Sequence, residues 1–437
     1  MTIAQTARGA TSLLAPVFAA GRLNVAAAVQ VRRRGYSAWT GAVNTDYDPL
    51  DPSIAAQPYA AYDALHRGGR VHYNPRRATW ILHRLDDVRA ALRATDQVTS
   101  SQGVTRVRMV AALVVITDDD EHSRLRRQVQ PAFTKGALDN WRAIIDRLAA
   151  ELVDEMINNP GEDAVTRLAV PLPVRVIAAM LGVPEADVAE FRHWTDECCQ
   201  FLNVTPTPNG VVNGARAMRA AVALRRYFKA HLAAGELKGS NTVFGRLLEH
   251  RTDGGLTDDQ LFYIAITLLV AGNETTTNLL GGMIDTYARF PDQYDMIRAH
   301  PELIPQAVEE HLRYTSPVQH VYRYTRAPHQ VGEVTIPTGS RLLISLGAAN
   351  RDPLAFDDPN TFRADRDPRT HVAFGYGPHL CLGAPLARME AHAVLRELVN
   401  RVSRISATGS TKWSTNSSLR GPTHLPIVLH TRAGARN

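Results

Sequence analysis

A single cysteine, Cys381, stands in the stretch FGYGPHLCLG (residues 374–383), while the chain's two other cysteines, Cys198 and Cys199, are adjacent to each other. A thiolate is a soft ligand that suits iron, zinc or copper. The apolar pattern after Cys381 predicts a helix whose N-terminal dipole favours the thiolate form. Three glycines of the stretch would let backbone N–H groups and a flat cofactor approach the sulfur; they are Gly375, Gly377 and Gly383.

Three kinds of site could use such a cysteine. A structural zinc site needs three or more further Cys or His ligands at characteristic spacings, which the Cys381–His379 pair does not supply. A cysteine nucleophile is possible, but no companion motif points to it. An axial thiolate on haem needs one protein ligand in a loop free of bulky side chains, and this matches the stretch.

A second chemical stretch, AGNETTTN (residues 271–278), interrupts a long apolar helical pattern. Gly272 inside a helix costs roughly 1 kcal/mol relative to alanine. Glu274 is expensive to bury unless its charge or its proton is used. Thr275 would by default donate to a carbonyl one turn earlier. A glycine and an acidic residue are both unfavourable inside a buried helix, and their occurrence together makes the stretch a candidate functional site.

The pattern Phe374–x–x–Gly377–x–His379–x–Cys381–x–Gly383 resembles the haem-binding signature of the cytochrome P450 family. Four further landmarks of that family occur in the expected order, and the resemblance covers roughly residues 45–430, closest in style to the soluble bacterial branch. They are HSRLRR with its His-x-x-x-Arg pair, AGNETT, EEHLRYTSPV with its Glu-x-x-Arg pair, and ANRDPLAFDDPNTFRADR.

The resemblance implies haem b as cofactor and assigns roles to matching residues. Cys381 would be the axial iron ligand, and several polar residues would clamp the haem propionates, where arginine suits a carboxylate. The expected haem-contacting residues are His122, Arg126, Ala271, Gly272, Arg323, Phe374, Gly375, His379, Cys381 and Gly383. Glu274 and Thr275 would form the acid–alcohol pair that relays protons in a site otherwise closed to water.

The pair Glu310–Arg313 has, by spacing alone, the form of an ordinary surface ion pair on a helix. The resemblance implies instead a buried structural pair that stiffens the core beside the haem. An arginine of the downstream segment would complete it, and Arg366 is the candidate.

The elements that position these residues are mostly helical. The sequence predicts a mostly α fold with small β-sheets, and the resemblance makes it the cytochrome P450 fold with a long central helix over the haem. TDDQ (residues 257–260) is a capping box, and the helix it opens runs to about Phe290, before Pro291. VHYN and ATWILHR predict a hairpin, and HQVGEVTIPTGSRLLISLGAAN predicts another that turns at Pro337–Gly339. Residues 1–45 are expected to be an N-terminal extension, and 46–437 a single domain.

Composition narrows the classes of function. The chain has 437 residues, 45% hydrophobic and 21% charged, as in an ordinary globular protein. Three cysteines cannot form a disulfide framework, and the longest apolar run is too short to span a bilayer. A cytoplasmic protein is therefore expected. The acid-free segment before Asp46 could make weak peripheral membrane contact, although it could be mistaken for a targeting peptide.

The net charge is +6, and the basic residues are scattered, so no nucleic-acid-binding stripe is present in the sequence. The expected partners are a ferredoxin and a ferredoxin reductase that supply electrons from NAD(P)H, since three cysteines cannot also hold a ferredoxin cluster. A basic patch for an acidic ferredoxin is expected on the thiolate side of the haem. Its members would be Arg124, Arg127 and Arg388.

The resulting function is a haem-thiolate monooxygenase that inserts one oxygen atom from dioxygen into an apolar small molecule. A haem-thiolate sensor without turnover and a peroxide-driven peroxygenase are the alternatives, and the intact Glu274–Thr275 pair argues against both. The expected pocket lining is apolar, which fits a lipid, terpenoid, steroid or aromatic substrate. Its residues are Met109, Val110, Thr267, Val270, Val318 and Val321.

Overall fold

The computed structural model describes residues 41–104, 114–199, 208–234, 242–249 and 256–431. Most of the predicted N-terminal extension, residues 1–40, lies outside the described residues. The helices are α1 (Pro52–Ala56), α2 (Tyr59–Gly68), α3 (Leu85–Arg93), α4 (Asp119–Val129), α5 (Lys135–Asp139), α6 (Arg142–Asn158), α7 (Pro171–Leu181), α8 (Val188–Cys199), α9 (Pro208–Ala234), α10 (Val243–Glu249), α11 (Asp258–Arg289), α12 (Pro291–Ala299), α13 (Ile304–Thr315), α14 (Leu346–Ala349) and α15 (Ala384–Arg401).

The strands are short and form one mixed sheet and three two-stranded pieces. They are β1 (Val43–Asn44), β2 (Val71–Asn74), β3 (Thr79–Leu82), β4 (Val98–Thr99), β5 (His320–Thr325), β6 (His329–Val331), β7 (Val334–Ile336), β8 (Arg341–Ser345), β9 (Val402–Ala407), β10 (Lys412–Trp413), β11 (Pro422–His424) and β12 (Ile427–Thr431). The six-stranded sheet has the order β1-β2-β3-β8-β5-β4. The mostly α fold with small β-sheets is confirmed.

The central helix α11 begins and ends where the sequence predicts. The hydroxyl of Thr257 accepts from the backbone N–H of Gln260 at 3.2 Å, and the Gln260 side chain accepts in return from Thr257 N–H at 3.0 Å. The helix ends before Pro291, which starts α12. Residues 276–287 are all buried, and α11 packs against α7, α13 and α15. The long helix therefore forms the middle of the main apolar core.

One of the two predicted hairpins is confirmed. In the other, the turn was predicted at the wrong residues. β2 and β3 pair antiparallel, with Val71 opposite Leu82. In the second segment β6 pairs with β7 across Gly332, whose φ of +58° permits the tight turn. Residues 337–339 only lead from β7 to β8, which pairs with β5 and β3. Within the described residues, no helix is long and apolar enough to cross a membrane.

Candidate active site

A backbone hydrogen bond closes the loop that carries Cys381, and the loop packs against α3. The backbone N–H of Cys381 donates to the carbonyl of Phe374 at 2.9 Å. Gly375 and Gly377 have φ values of +74° and +70°. A Cβ on Gly377 would lie 2.6 Å from the carbonyl oxygen of Leu92 at the end of α3. The glycine at 377 is therefore required by the close approach of α3 as well as by its own backbone conformation.

The Cys381 side chain is exposed at the surface of its loop, two residues before the N-cap of α15. Enclosure by the surrounding protein raises the pKa of its thiol, whereas N–H groups of Gly383 and Ala384 and the charges of Arg126 and Arg388 act in the opposite direction. The N–H groups at the helix start therefore favour the thiolate, as the sequence predicts, but desolvation outweighs them and the net direction of the pKa is upward. Coordination to a metal removes the proton outright, so a metal partner would reverse this preference.

A polar cluster lies near this loop and centres on Asp118, the N-cap residue of α4. Its carboxylate accepts from Ser100 Oγ at 2.6 Å and lies 3.2 Å from His379 Nε2. Burial alone would raise its pKa, but hydrogen bonds from His379, Ser100 and Thr99 hold the pKa of Asp118 far below its usual range. Asp118 is thus a fixed anion that orients the His379 ring.

Three expected propionate ligands converge here without a carboxylate of their own. His122 is buried, its Nε2 has no hydrogen-bond partner, and its ring lies 4.1 Å from that of His379. Burial, His379 and Arg126 lower the pKa of His122 to about 4. Burial lowers the pKa of Arg323 to about 10, so it stays cationic, and among the described residues its side chain donates only to the carbonyl of Tyr322. Arg126 forms no ion pair with a described carboxylate, and its pKa is lowered by burial.

These residues fit haem b. The buried guanidinium of Arg323 and the orphaned buried imidazole nitrogen of His122 need anionic or hydrogen-bonding partners, since leaving them unpaired is costly. The two propionates of haem b are such partners, and the Cys381 sulfur is the soft ligand that its iron requires. Among the described residues, no group of three or more His, Cys, Asp or Glu side chains could hold a separate metal ion.

The centre of α11 presents a mixed apolar and acidic surface. Ala271 is exposed, and a Cβ on Gly272 would meet nothing within 4 Å, so the helix faces open space at this point. The Thr275 hydroxyl donates to the carbonyl of Ala271 at 2.6 Å. Burial, followed by the negative charge of Asp196 on α8, raises the pKa of Glu274 to about 7. Thr275 thus makes the ordinary backbone contact expected for a helical threonine, and its oxygen retains lone pairs for a further partner.

The Glu310–Arg313 pair is fully buried on α13, as the resemblance implied. Arg313 Nε donates to Glu310 Oε2 at 2.7 Å, and Arg366 Nε donates to Oε1 at 3.1 Å. Arg313 also donates to the carbonyls of Asn350 and Pro359. The cluster therefore ties α13 to the segment that precedes the cysteine loop.

The arginines expected to form a docking patch differ in their availability. Arg127 on α4 is exposed and has no ion pair with a described residue. Arg124 is paired with Glu121 at 2.8 Å. Arg388 forms a two-pronged pair with Glu309, with 2.6 and 2.8 Å bonds. Of the three, only Arg127 has no carboxylate partner among the described residues, because Glu121 pairs with Arg124 and Glu309 pairs with Arg388.

Two further arginines, Arg89 and Arg93, lie beside the cysteine loop. The guanidinium carbons of Arg93 and Arg89 lie 4.6 and 5.2 Å from the ring centroid of Tyr376. Arg93 is exposed, and Arg89 also donates to the carbonyl of Thr370. Arg89 and Arg93 belong to α3, and the sequence alone did not place this helix beside the cysteine loop.

The expected pocket residues divide between two elements. Thr267 and Val270 lie on α11, where the Thr267 hydroxyl donates to the carbonyl of Tyr263 at 2.7 Å. Val318 and Val321 are partly buried against the apolar core of the main sheet. Met109 and Val110 lie outside the described residues.

Sequence reasoning missed the residues that orient the predicted ligands. Asp118 belongs to the acidic run before α4, which reads as an ordinary helix start. Its side chain makes no cap bond, because it serves Ser100 and His379 instead. Glu309, which accepts from Arg388 and lies 3.1 Å from His371 Nε2, is adjacent to the recognised Glu310 but had no separate signal.

Comparisons with known proteins agree with this geometry. The family model described as Cytochrome P450 matches residues 284–422. The chain is 42% identical to the beta-dihydromenaquinone-9 omega-hydroxylase of Mycobacterium tuberculosis over 388 residues, covering 89% of this chain and 79% of the relative. It is 36% identical to the 6-deoxyerythronolide B hydroxylase of Saccharopolyspora erythraea, covering 72% and 77%.

Solved structures give the same result. The crystal structure of CYP109E1 from Bacillus megaterium in complex with testosterone superimposes with a TM-score of 0.77 at 31% identity, covering 85% of this chain and 99% of that one. CYP109Q5 from Chondromyces apiculatus gives 0.80 at 31% identity, covering 90% and 100%. The relatives include named hydroxylases, which supports an enzyme over the sensor alternative. The chain belongs to the cytochrome P450 family and is a haem b-dependent, haem-thiolate monooxygenase.

Proposed function

We propose that Cys381 is the axial ligand of the haem iron and that His122, Arg126, Arg323 and His379 hold the propionates. The observation that carries this proposal is the convergence of an exposed cysteine sulfur with the buried Arg323 and His122 and the partly buried Arg126, which lack carboxylate partners in the described residues. Asp118 fixes the His379 ring, whose face supports His122. Ala271, Gly272, Phe374, Gly375 and Gly383 line the approaches to the cofactor.

Bound haem supplies the activation of dioxygen, and the chain supplies orientation and protons. Glu274, with a pKa of about 7, exchanges its proton readily near neutral pH. The Thr275 hydroxyl, held by the carbonyl of Ala271, can pass a proton on while its lone pairs accept one. The aliphatic residues at 270, 318 and 321 exclude water from the substrate side.

The ligand assignment is tested with carbon monoxide. The reduced wild-type protein should give the strongly red-shifted Soret band of thiolate ligation, and Cys381→Ser should lose it. Cys198→Ala is the matched control, because Cys198 is a buried free cysteine on α8 rather than in the loop. A red-shifted band that persists in Cys381→Ser would refute the assignment.

Bacterial members of this family typically take electrons from ferredoxins, and we propose an acidic ferredoxin, supplied by a ferredoxin reductase and NAD(P)H, for this chain. Arg127 supplies an exposed unpaired charge on α4, and Arg93 supplies another beside Tyr376. Opposite charges on the partner would increase the association rate through long-range attraction. The surface lies near the cysteine loop, through which electrons would reach the iron.

For the substrate we propose a long, apolar, isoprenoid-like chain oxidised at its end. The support is the omega-hydroxylase relative, whose name specifies a prenylated quinone, together with the aliphatic side chains of Val270, Val318 and Val321. The haem spectrum of the purified protein should shift on adding a prenylated quinone and shift less with its short-chain analogue. Equal shifts with both compounds would exclude recognition of the chain.

A further inference from the structure

Five side chains form a stack in which arginines alternate with aromatic rings, outside the site described above. The Arg420 guanidinium carbon lies 3.8 Å from the Trp413 ring centroid and 4.8 Å from that of Tyr59. The Arg351 guanidinium carbon lies 3.8 Å from Tyr59 and 4.3 Å from Tyr314. The stack joins α2, α13, the segment after α14, and β10 with the segment that follows it.

The two guanidinium groups differ in what their edges contact. Arg351 Nη1 donates to Asn360 Oδ1 and Nη2 donates to the carbonyl of Tyr314, both at 2.8 Å. The Arg420 side chain donates to no described residue, and its buried Nε has no hydrogen-bond partner. Only 3% of Arg420 is exposed. Within the described residues, neither arginine forms an ion pair with a carboxylate.

A buried unpaired cation is costly, and the aromatic faces offset only part of this cost. Burial lowers the pKa of Arg420, and the positive charge of Arg351 acts in the same direction, yet a guanidinium stays protonated. Residues outside the described ranges contribute only two acidic side chains, Glu236 and Asp253, because residues 1–40 contain none. The chain therefore has few carboxylates left that could balance this charge.

We propose that the free edge of Arg420, supported by the adjacent charge of Arg351, binds a small oxyanion such as a carboxylate or a phosphate. The planar fork of arginine matches both chemistries with paired N–H donors. Leu419 pairs with Val318 in an isolated β-bridge, and the Arg420 N–H donates to the carbonyl of Pro317. Successive side chains of an extended segment point to opposite sides, so the oxyanion site lies on the side away from Val318.

The test uses the haem-loaded protein, because the propionates then occupy Arg323 and His122 and prevent these two residues from binding the added anion. Thermal unfolding is measured against inorganic phosphate, acetate and chloride at matched ionic strength. An anion that binds the folded state raises the midpoint with its concentration. We expect phosphate or acetate to raise the midpoint well above chloride, and the stronger of the two identifies the ligand class.

Arg420→Met should keep the protein folded without added anion, since an unpaired buried charge is removed, and should weaken the apparent affinity at least about tenfold. Lys412→Met, which removes an exposed neighbouring cation, should leave the anion response unchanged. Arg420→Lys is the second variant if the methionine variant does not fold, and it should weaken phosphate binding because the fork is lost.

The proposal is overturned if chloride acts as well as phosphate and acetate, or if either Arg420 variant keeps the wild-type response. It is also overturned if the wild type shows no response and Glu236→Gln or Asp253→Asn creates one. That outcome would assign the counter-charge to a carboxylate of the chain itself.

Discussion

Two glutamates, the buried Glu310 on α13 and the partly buried Glu274 on α11, have opposite surroundings. Glu310 is fully buried, and its two oxygens accept from Arg313, Arg366 and the backbone N–H of Arg363. Glu274 has no hydrogen bond or ion pair with a described residue. Its pKa is raised to about 7 by burial and by the negative charge of Asp196.

The difference separates a structural carboxylate from a chemical one. Fully paired charge is an anchor, because removing any partner leaves an uncompensated ion in the core. An unpaired acid with a pKa near the working pH can instead gain and lose a proton at little cost. Glu310 and Glu274 are 36 residues apart in the sequence, and only the structure shows that one has partners and the other has none among the described residues.

Removing one partner of the Glu310–Arg313 ion pair should have the largest effect on stability. Arg313→Met leaves the buried Glu310 with Arg366 as its one cationic partner among the described residues, and we expect a loss of about 3–5 kcal/mol of unfolding free energy, together with poor haem retention. Denaturant unfolding and the haem-to-protein ratio measure both effects. The double variant Glu310→Leu/Arg313→Met should recover part of the stability, because no lone charge remains. A fully stable single variant would contradict the anchoring role.

A third glutamate, Glu390 on α15, extends the comparison to pH. Burial raises its pKa to about 8, and its Oε2 has no partner. A folded-state pKa above the unfolded value of about 4.5 means that the stabilisation is complete below pH 4.5 and is lost as the pH rises to 8. Wild type should therefore lose on the order of 3–4 kcal/mol between pH 5 and 9 relative to Glu390→Gln. Parallel stability profiles would contradict the burial of a protonated acid.

Substitution of Glu274 should leave the fold intact and change turnover. We expect Glu274→Gln to reduce product per NAD(P)H roughly 100-fold, at the low end of the range for a lost acid–base group. Wild-type coupling should fall as the pH rises through about 7, because Glu274 then loses its proton, while the glutamine variant stays flat. Product yield between pH 6 and 8.5 is the measurement.

Asp196→Asn provides the control for that experiment. Removing the charge of Asp196 lowers the Glu274 pKa, so the midpoint of the coupling profile should move to lower pH. An unchanged midpoint in this variant would show that Asp196 does not influence Glu274.

The smallest effect is expected at the surface. Arg127→Glu should slow reduction by a ferredoxin several-fold at low salt, and the difference should shrink as screening shortens to about 10 Å near 0.1 M. Arg124→Gln is the matched variant on the same helix and should change the rate less, since Glu121 already neutralises Arg124. Equal salt profiles for wild type and Arg127→Glu would contradict electrostatic docking at this residue.

Local spacing was enough to predict the central helix, its capping box and the cysteine loop. A capping box needs only residues 257 and 260, and the loop motif spans ten residues, so both depend on short-range contacts. The Glu310–Arg313 pair was likewise visible at a spacing of three. The turn between β7 and β8 was mispredicted, because β8 pairs with distant β5 and β3 rather than with β7.

The sequence by itself thus determined the family, the helix over the haem and the candidate ligand. Tertiary structure decided the partners: Ser100 and His379 are 279 residues apart, yet lie 2.9 Å from each other. It also decided that the thiol pKa of Cys381 is raised, that Arg388 is neutralised by Glu309, and that Arg420 is buried without a carboxylate among the described residues. Burial and charge pairing depend on which distant segments pack together, and local spacing contains no information about that packing.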